Sequence, residues 1–548
     1  MIFVDALLLI ALTIGAIAWW VRPLPGRTAI LAAVAAITFT LGVYGALNDR
    51  WQASLSAAFG FFLFLPLIIS VFQRKAAPKN PPYASGPAFT VLALVAGGLL
   101  HFFPITNLPE PSGPNTVGIR TFELTDDTRK GVLGVGENAP RRLLVRVWYP
   151  AEKPEDARPA YYFNDLEAKS TARGFGDVIG FGPLATFFKH AKTNAYPDAA
   201  LVSDMKVLPT IFFSHGAIGH LAQNTVLMEE LASHGYAVYS IQHTGDSAPT
   251  AFPNGDVIPS DPALKIEMET SNEVLGKYDD AKAKALGSDD LDERFAGQLD
   301  WMSRRQTDGE KMTYSEPIWV EDRLFVHNAL QSGNAPNHVM DVVARSNFES
   351  TGQMGMSFGG AVTGPLCIID ERCAAGVNLD GAVFSPSTFA QEIKQPFMMF
   401  YSDHDIMYKL LLEKEYYTED LSDNHWLYEF HYEGFKTAGL RQDIHRIEMS
   451  QVTHTGLTDY PLFMRPPLQG PVLGSAPTDV IMGAQNAFIL GFFNTYLRGI
   501  ESGFPDTQLK AYSDYIERRD ASHIREWWLS KPEEERALVK EKIEEVKR

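Results

Sequence analysis

Six residues past the middle of the chain, Gly355-Met356-Ser357-Phe358-Gly359-Gly360, carry the pattern G-x-S-x-G. In that pattern a serine takes a strained turn between a strand and a helix. The flanking glycines keep side chains from colliding with the backbone, and Oγ is left exposed at a helix N-terminus. A serine hydroxyl is a weak nucleophile at neutral pH. It needs an imidazole to take its proton, and the imidazole needs a carboxylate to fix its tautomer and stabilise its charged form. His454, in Val452-Thr453-His454-Thr455-Gly456-Leu457, is the candidate base, and Asp380, Asp403 and Asp405 are candidate acids. The order Ser, Asp, His is the one used by hydrolases built on an α/β sheet. The oxyanion of acyl transfer needs two backbone N–H donors, expected from Phe358, after the serine, and from Ala217, in Ser214-His215-Gly216-Ala217. His215 could pass for a base, but in this turn its expected job is to hold the oxyanion loop. The bland alternatives are a helix-start serine and a core histidine.

The pattern alone is weak, so the elements around it matter. Leu143 to Tyr149 (LLVRVWY) alternates like an early antiparallel strand. Leu208 to Phe213 (LPTIFF), Ala237 to Ile241 (AVYSI), Ala374 to Leu379 (AAGVNL) and Pro396 to Tyr401 (PFMMFY) read as buried parallel strands. Ala361 to Ile369 can form the helix behind the serine. Phe348 to Met354 (FESTGQM), which should lead into the elbow, reads as a poor strand. Residues 256–334 are acidic and helix-patterned, either a solvated insertion or a cap over the site, and 531–548 reads as a charged, exposed helix. The expected fold is α/β, a mostly parallel sheet flanked by helices over 117–530.

Before that domain the chain is far more apolar. Four runs, about Ile2 to Val21, Thr28 to Leu47, Leu55 to Phe72 and Phe89 to Pro104, predict about four transmembrane helices within 1–105, followed by a linker at 106–116. Arg22 and Arg27 lie in the first connection and Arg74, Lys75 and Lys79 in the third, which predicts that these two are cytoplasmic and that the large domain is extracytoplasmic. If the fourth run does not span, the domain moves to the cytoplasm. Residues 1–86 carry a balance of +4 within a whole-chain charge of −18. The acidic remainder argues against nucleic-acid partners. Two cysteines, Cys367 and Cys373, are too few for a disulfide framework or a multi-cysteine metal site, and they can be paired or free. No ligand spacing such as H-E-x-x-H occurs, so no metal or other cofactor is expected.

Taken together and in order, LLVRVWYP (143–150), FFSHGAIGH (212–220), LASHGYAVYSIQHTGDSAPTAF (231–252), GMSFGG (355–360), NLDG (378–381) and VTHTGLTDYPLF (452–463) resemble the platelet-activating factor acetylhydrolases of the plasma and type II class, from about Val117 to Trp527. The resemblance implies an α/β-hydrolase fold. It also implies a serine carboxylic ester hydrolase acting on short-chain or oxidised phospholipid acyl esters, or other small esters, with Asp380 as the acid. An acyltransferase with the same triad, or a hydrolase-like domain that binds without catalysis, are the competing readings.

Overall fold

The computed structural model describes residues 1–21, 24–72, 86–134, 136, 138–178, 182–269, 279–288, 290–382, 384, 391–403, 406, 441–519 and 522–546. Asp405 and the basic residues Arg22, Arg74, Lys75 and Lys79 lie outside the described residues. Ten strands form one sheet: β1 (Thr116–Lys130), β2 (Pro140–Ala151), β3 (Ala195–Pro197), β4 (Leu208–Ser214), β5 (Ala237–Gln242), β6 (Ser346–Met356), β7 (Cys373–Leu379), β8 (Phe397–Tyr401), β9 (Ile444–Met449) and β10 (Ile516–Arg518). Their spatial order is β10-β9-β8-β7-β6-β4-β5-β2-β1-β3. From β5 to β9 neighbouring strands are parallel, whereas β2 is antiparallel to both β1 and β5. This is the α/β-hydrolase arrangement. After β4 the chain moves to one side, to β5, and after β6 to the other, to β7. The crevice between the C-terminal ends of adjacent β4 and β6 is therefore the switch point where α/β sheets bind ligands.

The strand before the elbow corrects the sequence expectation. β6 is eleven residues long and pairs with β4 and β7 on either side. Its buried polar residues are satisfied: Thr351 Oγ1 donates to the Arg372 carbonyl (3.1 Å) and accepts from Gln353 Nε2 (2.8 Å). Gly352 lets the core close over the strand, since a Cβ there would lie 2.6 Å from the Phe493 ring.

The 256–334 segment also differs from both expectations over its last helix. Helices α1 (Ile2–Trp20), α2 (Arg27–Leu47), α3 (Ser54–Phe72) and α4 (Gly86–Phe102) open the chain, α5 (Thr225–Ser233) follows β4, and α6 (Leu291–Thr307) and α7 (Lys311–Gln331) precede β6. α7 is neither solvated nor a lid. It buries Trp319, Asp322, Arg323, Val326 and Leu330 against the sheet. Arg323 reaches Gln353 Oε1 (2.8 Å), Thr363 Oγ1 (2.9 Å) and the Met354 carbonyl (3.2 Å). Burial pushes its guanidinium down to about 9. α8 (Thr363–Ile369) lies behind the serine, and the Cys367–Cys373 disulfide ties it to β7. α9 (Thr478–Tyr496) packs on the core, and α10 (Glu533–Val546) buries Ile543 in a cluster with Phe295 and Met302 of α6, so the charged C-terminal helix has a docked face.

The four opening helices are apolar. Among the described residues Ile2–Trp20 and Arg27–Leu47 are long and apolar enough to cross a membrane. The segment after α4 is pinned to the domain: the Ser112 N–H donates to Glu230 (2.8 Å) and the Asn115 N–H to the Ser233 carbonyl (3.1 Å).

Arg323→Ala removes the donor shared by β6 and α8 and leaves a cavity. It is expected to lower the unfolding free energy by about 3 kcal/mol, read as a shifted denaturant midpoint. An unchanged midpoint counts against the central role of this contact.

Candidate active site

The nucleophile turn begins where β6 ends. Ser357 has φ 56 and ψ −122, a conformation sparsely populated by residues with side chains. The turn closes by backbone approaches that only glycine permits. A Cβ on Gly355 would lie 2.2 Å from the Gly359 carbonyl carbon, and one on Gly359 would lie 2.1 Å from the Ser214 oxygen. The Ser357 N–H donates to the Leu379 carbonyl of β7 (2.7 Å). The first helical turn, Phe358–Ala361, then starts at Phe358, whose N–H is one of the free donors at a helix N-terminus.

His454 stands on a short turn after β9, with its Nε2 2.8 Å from Ser357 Oγ and its Nδ1 2.7 Å from Asp380 Oδ2. A carboxylate on Nδ1 fixes the tautomer in which Nε2 accepts, so the serine donates. Asp380 itself lies at φ 55 just past β7. Its carboxylate accepts from the Ser402 N–H (2.9 Å) and hydroxyl (2.6 Å), and the Asn378 side chain clamps the following turn through both the N–H and the carbonyl of Gly381.

Asp403 sits elsewhere. Its carboxylate accepts the N–H of Gln451 (2.7 Å) and of Ile406 (3.1 Å), and its own N–H donates to the Val452 carbonyl (2.9 Å), so it holds the chain leading to His454. Asp405 lies outside the described residues.

On the opposite side of Ser357 lies the loop after β4. A Cβ on Gly216 would be 3.5 Å from Ser357 Oγ, so the backbone at Gly216 runs close to the hydroxyl. Gln223 Oε1 accepts the Gly216 N–H (2.8 Å). His215 is buried, with Nδ1 donating to the Gly216 carbonyl (2.6 Å) and Nε2 accepting the His243 N–H (3.1 Å). Burial holds its ring well below the usual histidine range, so it stays neutral and has no nitrogen left for substrate.

A second Ser-His-Asp series lies under this loop. Ser214 Oγ is 2.9 Å from His243 Nε2, and His243 Nδ1 is 2.9 Å from Asp322 Oδ2. His243 stacks on Trp319 at 3.8 Å. Burial pushes its pKa down to about 4. Burial would raise the Asp322 carboxyl, but Arg141, 2.6 Å away, and His243 hold it below the ordinary range. All three side chains are inaccessible, so the series supports the end of β4.

Ser402, Gln223 and this buried series escape sequence reasoning. Ser402 adjoins Asp403 in a polar turn that reads as an acid candidate, and Gln223 and Asp322 carry no motif. The arrangement as a whole places a serine beside a histidine held by a carboxylate, next to the helix start at Phe358 and the backbone at Gly216, a geometry suited to acyl transfer through a covalent intermediate.

Residues 100–288 match the family described as "Platelet-activating factor acetylhydrolase, isoform II". That stretch ends before Ser357, so the geometry above is independent of it. A curated relative from Arthroderma benhamiae, named "Probable 1-alkyl-2-acetylglycerophosphocholine esterase", is 24% identical over 319 residues, covering 54% of this chain and 64% of its own length. The chain thus spans just under two thirds of that relative. The solved ferulic acid esterase from Streptomyces cinnamoneus superposes with a TM-score of 0.53 and 20% identity, over 76% of this chain and all of the other, and shares its fold. The chain resembles the platelet-activating factor acetylhydrolases of the α/β-hydrolase class, as its sequence blocks indicate.

Asp380→Asn is expected to lower kcat by as much as ~10⁴-fold with KM nearly kept, because the histidine loses its tautomer and its counter-charge. Asp403→Asn, which can still accept through its amide oxygen, is expected to retain most activity. Steady-state kinetics with a chromogenic ester separates the two. An active Asp380→Asn enzyme beside an inactive Asp403→Asn enzyme would reverse the assignment.

Proposed function

We propose that this chain is a membrane-held serine carboxylic ester hydrolase of the platelet-activating factor acetylhydrolase kind, working without a cofactor. The hydrogen-bonded series Ser357 Oγ, His454 Nε2 and Nδ1, Asp380 Oδ2 carries the reading. Ser357 Oγ attacks the ester carbonyl carbon as His454 takes its proton. The oxyanion is met by the N–H groups of Phe358 and Ala217. His454 then gives the proton to the departing alcohol, leaving an acyl-enzyme. Water, deprotonated by the same histidine, releases the acid and restores the serine. Asp380 keeps Nδ1 protonated and stabilises the imidazolium. The relative's name points to acetylated or other short-chain phospholipid esters as the substrate class.

The apolar helices α1 to α4 support a multi-pass membrane region, with the catalytic domain on the outer side. Disulfides persist in oxidising compartments, so the Cys367–Cys373 pair fits an extracytoplasmic domain.

Ser357→Ala is expected to abolish fluorophosphonate labelling and to lower kcat by ~10³-fold or more. Activity within tenfold of wild type would sink the mechanism. Topology has its own readout: a reporter fused at Gly118 should be active only outside the cytoplasm, and cytoplasmic activity there would overturn the proposed orientation.

A further inference from the structure

Among the described residues the opening helices touch the catalytic domain around Trp51, Asp49 and the end of α4. The Trp51 indole N–H, between α2 and α3, donates to the Leu184 carbonyl (2.7 Å), and its ring lies 5.7 Å from that of Phe103, just past α4. Lys189 pairs with Asp49 (2.5 Å), and the Arg465 N–H donates to the Phe102 carbonyl (2.9 Å).

Between the two parts lies a cavity of about 240 Å³. The helical region supplies Trp51 and Phe103 to its wall, and the domain supplies Leu184, Phe188, Val472 and Thr455 among others. Thr455 is the residue after the base. Its hydroxyl donates to the Val472 carbonyl (3.0 Å) and so offers the cavity no free donor. The remaining lining is aromatic and aliphatic. A volume below the ~300–1,000 Å³ of pockets that enclose whole drug-sized ligands suits one hydrocarbon chain and excludes a complete lipid.

The chemistry of the base decides which half of the ester faces this cavity. His454 must hand its proton to the leaving oxygen, so the alcohol half lies on the His454 side, while the acyl oxygen points to the loop at Gly216 and Ala217. We propose that the cavity is a substrate subsite holding the hydrocarbon chain of the alcohol half of a lipid ester, and that Trp51 and Phe103 make the membrane region part of that subsite. The proposal rests on the hydrolase reading above.

Filling the cavity tests it. Leu184→Trp and Val472→Trp, assayed in mixed micelles and checked for fluorophosphonate labelling, are compared on two series: acetate esters of butyl to decyl alcohols, and butyl esters of C2 to C10 acids. At least one variant should lower kcat/KM for decyl acetate relative to butyl acetate by about tenfold or more, with a much smaller change along the acid series. Labelled enzymes whose alcohol-length ratios match wild type, or that change only along the acid series, overturn the proposal. A readout without turnover uses Val472→Cys, at the exposed rim. A dialkyl ether lipid, which has no ester, should slow maleimide modification of this thiol, and its short-chain analogue should not. If no ester is turned over but the thiol is protected, the hydrolase reading fails and the hydrocarbon site stands. Absence of protection by the long-chain lipid overturns the site.

Discussion

The backbone of Ser357 is the constraint on which the site depends. A non-glycine residue at φ 56 and ψ −122 costs about 1–3 kcal/mol. It persists because its neighbours leave no other path: Gly355 lies against Gly359, Gly359 against Ser214, and a Cβ on Gly381 would lie 2.3 Å from the Ser357 carbonyl oxygen. These contacts link the ends of β4, β6 and β7. Ser357, the loop after β4 and the turn at Asp380 therefore cannot shift independently, and the Ser357 hydroxyl is aimed by three strands at once. Catalytic groups set on rigid elements hold the sub-ångström geometry that acyl transfer needs.

Beneath that turn the interior is polar, which is unusual for a sheet core and demands full satisfaction. Ser214, His243 and Asp322 repeat the donor order of Ser357, His454 and Asp380, yet the two series do different work. The His243 side chain has no solvent exposure, whereas that of His454 is 28% exposed. Access separates them, since residue types and distances are nearly the same. With its ring neutral and both nitrogens occupied, His243 fastens β4 to α7, and His215 in turn hangs the Gly216 carbonyl from its own ring. The loop after β4 is thus stiffened from below by side chains with no solvent access.

Much of this was legible in the chain. LPTIFF, AVYSI and PFMMFY are continuous apolar runs, and such runs in a parallel sheet have few other places to go. The loop after LPTIFF was marked by a motif at the end of its strand, while Ser357 and His454 were marked by their own motifs, without a readable strand before them. What stayed hidden depended on partners distant in sequence. β6 looked polar because Gln353 is satisfied by Arg323, a residue thirty positions earlier on another element. α7 looked like a solvated insertion because its buried face includes Asp322, Arg323 and His327, which periodicity counts as exposed. The acids could not be ranked by local pattern, since Asp380 and Asp403 both follow a buried strand. Only the sheet register, which puts β7 beside the nucleophile strand, brings the Asp380 carboxylate to Nδ1.

The loop that carries His454 also touches the opening helices. Between His454 and Leu473 it supplies Thr455 and Phe463 to the apolar cavity and Arg465 to the end of α4. It is fixed at its other face by Asp459, whose carboxylate caps α5 through the N–H groups of Thr225 (2.6 Å) and Val226 (3.3 Å). A tether that merely held the domain near a membrane would need none of these contacts, and its connecting segment would be free, whereas residues 112–115 are hydrogen-bonded to the end of α5. α5 therefore receives both the linker at its C-terminal end and the histidine loop at its N-terminal end. The segment that follows the opening helices and the loop that carries His454 are thus held by the same short helix.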